Sequence, residues 1–312
     1  MNPLAVENLR VDFQTRWGVI QAVDSVSFHL REGETLALVG ETGCGKSVIA
    51  HAILRLLPQN ARVTGQIFYE NRNLLQLSEK ELSQIRGRKI SLVIQNPSLS
   101  LNPVYTVGHQ LVEPLIVHQN EKRRQAFQTA IQLLARLRFR EPEREVRMYP
   151  FQLSGGMSQR VLIGMSVALR PDILIADEPT KGLDDRLKQD ILDELMLIKK
   201  MGNLSLFLIT HDLNTARELS ERTAVMYAGE IIEMGDTRGF FETPRHPYSK
   251  ALLESLPGRG FQPIPGSSPS PVDLPVGCRF HPRCPHRRDV CSERKPDLVR
   301  DKERDVRCVL FS

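Results

Sequence analysis

"GETGCGKS", residues 40–47, follows the apolar run "ETLALV" and leads into the amphipathic stretch "KSVIAHAILRLL". The spacing G-x-x-x-x-G-K-[ST] between a strand and a helix is a phosphate-binding pattern in the context it requires. Its glycines let successive backbone N–H groups wrap phosphate oxygens, and the helix N-terminus adds the positive end of its dipole. Lys46 is then placed for the β- and γ-phosphates and the Ser47 hydroxyl for Mg²⁺. Gly40, Glu41, Thr42, Gly43, Cys44, Gly45, Lys46 and Ser47 are therefore the expected nucleotide loop.

Outward from this loop, "LAVENLRVDF" and "IQAVDSVSFHL" read as strands, being β-branched or alternating runs broken by Gly and charge. From about residue 97 to 170 the pattern is helical. In "EKRRQAFQTAIQLLARL", Phe127, Ala130, Ile131, Leu134 and Leu137 share one face. Buried-strand patterns return at "DILIAD" and "LSLFLIT", with Leu187, Ile191, Leu195 and Ile198 forming a helical stripe between them. Strands alternating with helices predict an α/β fold with a largely parallel sheet. The helical block then reads as an insertion. Nine of the 20 prolines lie from Pro257 onward, and "PIPGSSPSPVDLP" reads as an extended linker. The expected organisation is one nucleotide-binding domain over residues 1–256, with a helical subdomain at about 97–170, and a separate region over 257–312.

Two further stretches carry chemistry. "ILIADEP", residues 173–179, is an apolar strand ending in two carboxylates. Asp177 is placed to bind Mg²⁺ and Glu178 to act as general base on an attacking water. "LSGGMSQR", residues 153–160, opens a helix with a Ser-Gly-Gly turn, an anion site where the first loop already holds one end of the nucleotide.

Together with Gln95 in "LVIQNP", "GLDD" at 182–185 and His211 in "LITHD", these motifs resemble an ABC-transporter ATPase in order and spacing. The resemblance implies the fold of that family: a P-loop ATPase core, mostly parallel, with an antiparallel β subdomain, the inserted helices and here a Cys-containing C-terminal tail. It implies two such domains stacked head to tail around two ATP molecules. Ser154, Gly155, Gly156 and Met157 would then face the partner's ATP. Gln95 would sense the γ-phosphate and Mg²⁺, Asp184 would reach across the dimer, and His211 would hold the γ-phosphate and Glu178. Ser47, Gln95 and Asp177 would be the Mg²⁺ ligands. Trp17, the only Trp, stands where the family places an aromatic under adenine, with Phe13 as its rival and core packing the alternative for both.

"SLNPVYTVGHQL", "MYAGEIIEMGDT", "PRHPYSKALLESLP" and "GCRFHPRCP" narrow the resemblance to the ATP-binding subunits of oligopeptide/dipeptide importers, a branch that includes nickel and metallophore importers. It runs from about residue 3 to 308. Departures are small: Ser158 stands where Arg is usual, and "TKGLD" replaces the commoner "TTALD". The implied role is ATP hydrolysis coupled to uptake of di- or oligopeptides, with a nickel or metal-chelate cargo as the alternative. The implied partners are a second, paralogous ATPase subunit, two transmembrane permease subunits and an extracytoplasmic solute-binding protein, at the cytoplasmic face of a prokaryotic plasma membrane. A soluble ABC ATPase acting on nucleic acid or ribosomes would carry two cassettes or long coiled-coil insertions, and this chain has neither. No nucleic acid is expected.

Composition agrees. Hydrophobic content of 41% and charged content of 25% are those of an ordinary soluble globular chain. "MNPLAVENLR" carries no basic n-region before an apolar run, and no stretch approaches the roughly 18 apolar residues that span a bilayer. A reducing compartment follows as the expectation, and there disulfides are rare. Cys278, Cys284, Cys291 and Cys308, spaced C-x5-C-x6-C-x16-C, then read as metal ligands. Zinc sites favour C-x2-4-C pairs, which are missing, while four thiolates also suit an iron–sulfur cluster. The resemblance favours a [4Fe–4S] cluster, with zinc as the alternative. Residues 277–312 carry ten Lys or Arg against six Asp or Glu. Arg279, Arg283, Arg287 and Arg288 are expected to surround the anionic cluster. His281 and His286 could replace a thiolate, but read more simply as surface histidines. Lying outside every nucleotide motif, the four cysteines are expected to stand apart from the ATPase machinery.

Overall fold

The computed structural model describes residues 3–94, 100–301 and 303–311. Its strands are β1 (Leu4–Thr15), β2 (Gly18–Leu30), β3 (Thr35–Val39), β4 (Ala61–Tyr69), β5 (Arg72–Asn73), β6 (Ile90–Val93), β7 (Ile173–Asp177), β8 (Ser205–Thr210), β9 (Arg222–Tyr227), β10 (Glu230–Asp236), β11 (Val299–Asp301) and β12 (Arg304–Val306). The chain forms two compact units, residues 1–76 with 208–312, and residues 77–207.

In the first unit β1, β2, β4 and β5 make an antiparallel sheet in the order β2-β1-β4-β5. Leu4, Val6, Leu9 and Val11 of β1 are all buried, and the ladder shifts register between Val6 and Leu9 and again between Leu9 and Val11. Such irregularities bend a strand and re-aim its side chains. β3 is buried along its whole length and pairs in parallel with β9, Leu36 opposite Arg222 and Val39 opposite Val225. A strand covered on both faces reads as a continuous apolar run, which is why "TLALV" lacks alternation.

β9 and β10 form a hairpin closed by Ala228 and Gly229, both at positive φ (44° and 89°). This is the turn whose twist matches that of the flanking strands, and it favours Gly. The C-terminal region adds β12 antiparallel to β10 and β11 antiparallel to β12. It also buries Phe280 and Val306. The tail beyond the Pro-rich stretch is therefore part of this unit's sheet and core.

In the second unit β6 and β7 run parallel, Ile90 opposite Ile173 and Val93 opposite Ala176. Around them stand the helices Val107–Gln119, Arg123–Arg136, Gly155–Val167 and Asp185–Met201. The Arg160 guanidinium joins two of these helices, with Nε 2.8 Å from the Glu194 carboxylate and an Nη 3.3 Å from Asp190. The strand pairs are thus of mixed direction, some parallel and others antiparallel, as expected from the sequence. Among the described residues no helix is long and apolar enough to cross a membrane.

Candidate nucleotide-binding site

The loop between β3 and the helix Lys46–Ile53 is held open by backbone that only glycine tolerates. Gly40 has φ 153°, Gly43 85° and Gly45 106°. A Cβ on Gly40 would meet the Met226 carbonyl oxygen at 2.1 Å, and one on Gly45 the Ala22 carbonyl oxygen at 2.2 Å. The loop therefore wraps tightly over β2 and β9. Gly45 is the N-cap of the helix and carries no capping side chain. The first N–H groups of the helix are left for an anion.

Lys46 is buried, and its Nζ donates to the carbonyl oxygens of Gly40 (2.8 Å) and Glu41 (2.9 Å). The ammonium is thus kept inside the loop it serves. Cys44 is also buried, which pushes its thiol above the usual range despite the adjacent Lys46.

Trp17 sits at the tip of the β1–β2 hairpin, 73% exposed, with the Arg16 guanidinium 4.5 Å from its ring centroid. An indole on a hairpin tip is a platform without a core to fill. Phe13 is half-buried within β1, paired with Ile20. His211 follows β8 directly and is exposed.

In the second unit Asp177 and Glu178 close β7, both buried, with Glu178 at φ 51°. A non-glycine residue in the left-handed region marks a backbone constrained by its surroundings. Ser154 is the N-cap of the helix Gly155–Val167, accepting from the Met157 N–H at 3.3 Å. Gly155 faces open space, whereas a Cβ on Gly156 would come within 3.0 Å of Leu187. Ser158 is buried. Asp184 caps the helix Asp185–Met201 by accepting from the N–H groups of Arg186 and Leu187 at 3.1 and 3.0 Å. Gln95 lies outside the described residues.

The four tail cysteines line one small cavity together with His246, His281 and His286. Burial, and after it the neighbouring thiols, pushes Cys278 up to about 11; burial also raises Cys284 and Cys308. A single zinc ion needs thiolates at about 2.3 Å, hence about 3.8 Å from one another. Among the described residues no group of three or more His, Cys, Asp or Glu side chains is gathered to hold a metal ion.

Two of the four arginines expected around these cysteines are spent elsewhere. Arg279 donates to Asp24 at 2.8 Å and lies 3.4 Å from Glu230. Arg283 forks onto both carboxylate oxygens of Glu41, each at 3.2 Å. The tail thus meets the nucleotide loop through Arg283. Tyr248 meets it as well, its hydroxyl accepting from the Glu41 N–H at 3.1 Å. Nothing in the spacing of Arg279, Arg283 or Tyr248 signals the contacts with Asp24 and Glu41, because those partners lie 255, 242 and 207 residues away.

The chain matches the family model "ABC transporter" over residues 23–181 and "Oligopeptide/dipeptide transporter, C-terminal region" over residues 232–291. It is 43% identical to the dipeptide transport ATP-binding protein DppD of Bacillus subtilis, across 98% of this chain and 94% of that protein. It is 42% identical to the oligopeptide transport ATP-binding protein OppD of Escherichia coli, across 94% and 88%. Among solved structures, a dimeric ATP-binding cassette in a post-hydrolysis state with ADP and Pi matches with a TM-score of 0.67. That match has 30% identity and covers 76% of this chain and 99% of the cassette. Loop geometry, family models and relatives agree, and the chain belongs to the ABC transporter family, as one of its oligopeptide/dipeptide-type ATP-binding proteins.

Proposed function

We propose that this chain is the ATP-hydrolysing subunit of an importer of di- and oligopeptides. The observation that carries this is likeness over nearly the whole length to peptide-transport ATP-binding proteins, C-terminal region included. The glycine-built loop at 40–47 would bind the triphosphate, and Trp17 would stack on adenine. Ser47, Asp177 and Gln95 would hold Mg²⁺; a buried carboxylate and a helix-start hydroxyl are the hard oxygen donors that ion takes. When bound, Mg²⁺ neutralises charge on the β- and γ-phosphate oxygens.

Glu178 would accept a proton from the attacking water, and His211 would hold the γ-phosphate. Ser154, Gly155, Gly156 and Met157 would present a helix N-terminus to the ATP of a paralogous subunit stacked head to tail, with Asp184 reaching across. Residues 1–256, with helices at about 97–170, would form the nucleotide-binding domain and 257–312 a Pro-rich linker with the four-cysteine region. Two permease subunits at the cytoplasmic face of a plasma membrane and an external solute-binding protein would complete the importer.

Cys278, Cys284, Cys291 and Cys308 would be the ligands of a [4Fe–4S] cluster. Each thiolate of such a cluster would bind its own iron, and the four thiols line one cavity. The cluster would supply a redox-active crosslink of the tail.

The test is uptake of a radiolabelled tripeptide into vesicles holding the reassembled importer. Transport that requires ATP and is lost with Glu178→Gln is expected. ATP hydrolysis without peptide uptake would overturn the cargo, and no hydrolysis would overturn the enzyme.

A further inference from the structure

Between Cys278 and Cys284 the chain serves two neighbours at once. The two cysteines line the thiol cavity, while Arg279 and Arg283 reach away from it. Arg283 pairs bidentately with Glu41, donates to the Tyr227 hydroxyl at 3.2 Å and to the Pro265 carbonyl at 2.7 Å, and its side chain is 7% exposed. Ser268 in the Pro-rich stretch also donates to the Glu41 carboxylate. Phe280, between the arginines, packs edge-on against Tyr227 and Tyr248, centroids 5.3 and 5.4 Å away. Tyr248 in turn holds the Glu41 N–H. Arg279 donates to the Ala228 carbonyl, and the next residue, Gly229, donates its N–H to the Cys44 carbonyl at 2.9 Å. The loop is therefore gripped at Glu41 and at Cys44, and both grips run back to the segment 278–284.

Glu41 is the one acidic residue in "GETGCGKS". Its carboxylate brings a negative charge into the loop proposed for a triphosphate, and the Arg283 fork offsets that charge. We propose that Arg283 is a positioning residue for the ATP site: by pairing with Glu41 it neutralises and fixes the loop, coupling the order of the four-cysteine tail to ATP affinity. This rests on residues 40–47 being the ATP loop. Because coupling is reciprocal, bound ATP must tighten the tail by the same factor.

The test uses the full chain and a fluorescent ATP analogue with Mg²⁺. Arg283→Gln is expected to weaken binding about tenfold, within the usual range of such couplings, while kcat at saturating ATP changes less than about twofold. Arg283→Lys, which keeps the charge without the fork, falls between. With Glu41→Gln as background, adding Arg283→Gln has no further effect, since the arginine acts through that carboxylate. Unchanged binding in Arg283→Gln, a lowered melting temperature alone, or additive effects in the double variant would overturn the proposal.

Should Arg283→Gln not fold, hydrogen exchange in the unaltered chain decides. Amides of residues 278–291 exchange several-fold more slowly with ATP if the coupling exists, and at unchanged rates if it does not. Failure of the unaltered chain to bind the analogue would instead overturn the assignment of the loop.

Discussion

Arg279 donates to the Asp24 carboxylate at 2.8 Å with both side chains under a tenth exposed, so a tail residue neutralises a buried charge on β2. Lys295 contacts the same carboxylate at 2.7 Å, and both cations also face the buried Glu230. Burial raises the proton affinity of Asp24, yet the hydrogen bond and charge of Lys295, with the charge of Arg279, hold its carboxyl below the ordinary range. Breaking such a group from one side leaves uncompensated charge in the interior. Arg279→Met is expected to cost about 3 kcal/mol of unfolding free energy. Asp24→Asn added to it recovers part of that loss. Urea denaturation of the unaltered chain and these two variants measures both.

The loop geometry gives a sharper expectation. At Gly45 the φ of 106° and the Ala22 carbonyl oxygen 2.2 Å from a built Cβ leave no room for a side chain. Strain of this kind costs on the order of 1–3 kcal/mol. Gly45→Ala is expected to weaken ATP binding at least about tenfold, since 1.4 kcal/mol corresponds to that factor. Gly155→Ala, whose Cβ meets nothing within 4 Å, should bind its own ATP normally. Titration with a fluorescent ATP analogue compares the two. Equal affinities would mean that the loop relaxes around the added methyl group.

For the chemical step, Glu178→Gln removes the proposed base but keeps the shape of a buried side chain at the end of β7. Loss of a general base lowers rate by about 10²–10⁴. The variant should bind ATP and turn it over at about that reduced rate, measured by phosphate release. Turnover near that of the unaltered chain would remove Glu178 from the mechanism.

What the sequence made legible were features whose cause is local. The loop at 40–47 needs its glycines where φ is positive, so the need is written in the residues themselves. The carboxylates of β7 follow an apolar run, and Ser154 precedes the helix it caps. Tertiary pairing was not legible. Arg279 and Arg283 read as a basic halo for the cysteines because nothing local distinguishes an arginine facing a cluster from one facing Glu41. In the basic tail, Phe280 engages Tyr227, Tyr248 and His246. One well-placed aromatic can anchor a segment that composition would leave loose.

The second unit holds a titration of its own. Glu194 is 1% exposed, with Arg160 Nε 2.8 Å away. Burial pushes its carboxyl up to about 7 from the ordinary 4.5, although Arg160 and Arg138 pull the other way. The folded protein thus binds this proton more tightly than the unfolded chain does. Its contribution to stability is complete below pH 4.5 and is lost as pH rises through about 7. Glu194→Gln keeps the shape and removes the titration. The melting temperature of the unaltered chain, minus that of the variant, should therefore fall between pH 4.5 and about 7 and stay level above. Parallel profiles across this range would show that Glu194 is already ionised in the fold, with Arg160 and Arg138 outweighing its burial.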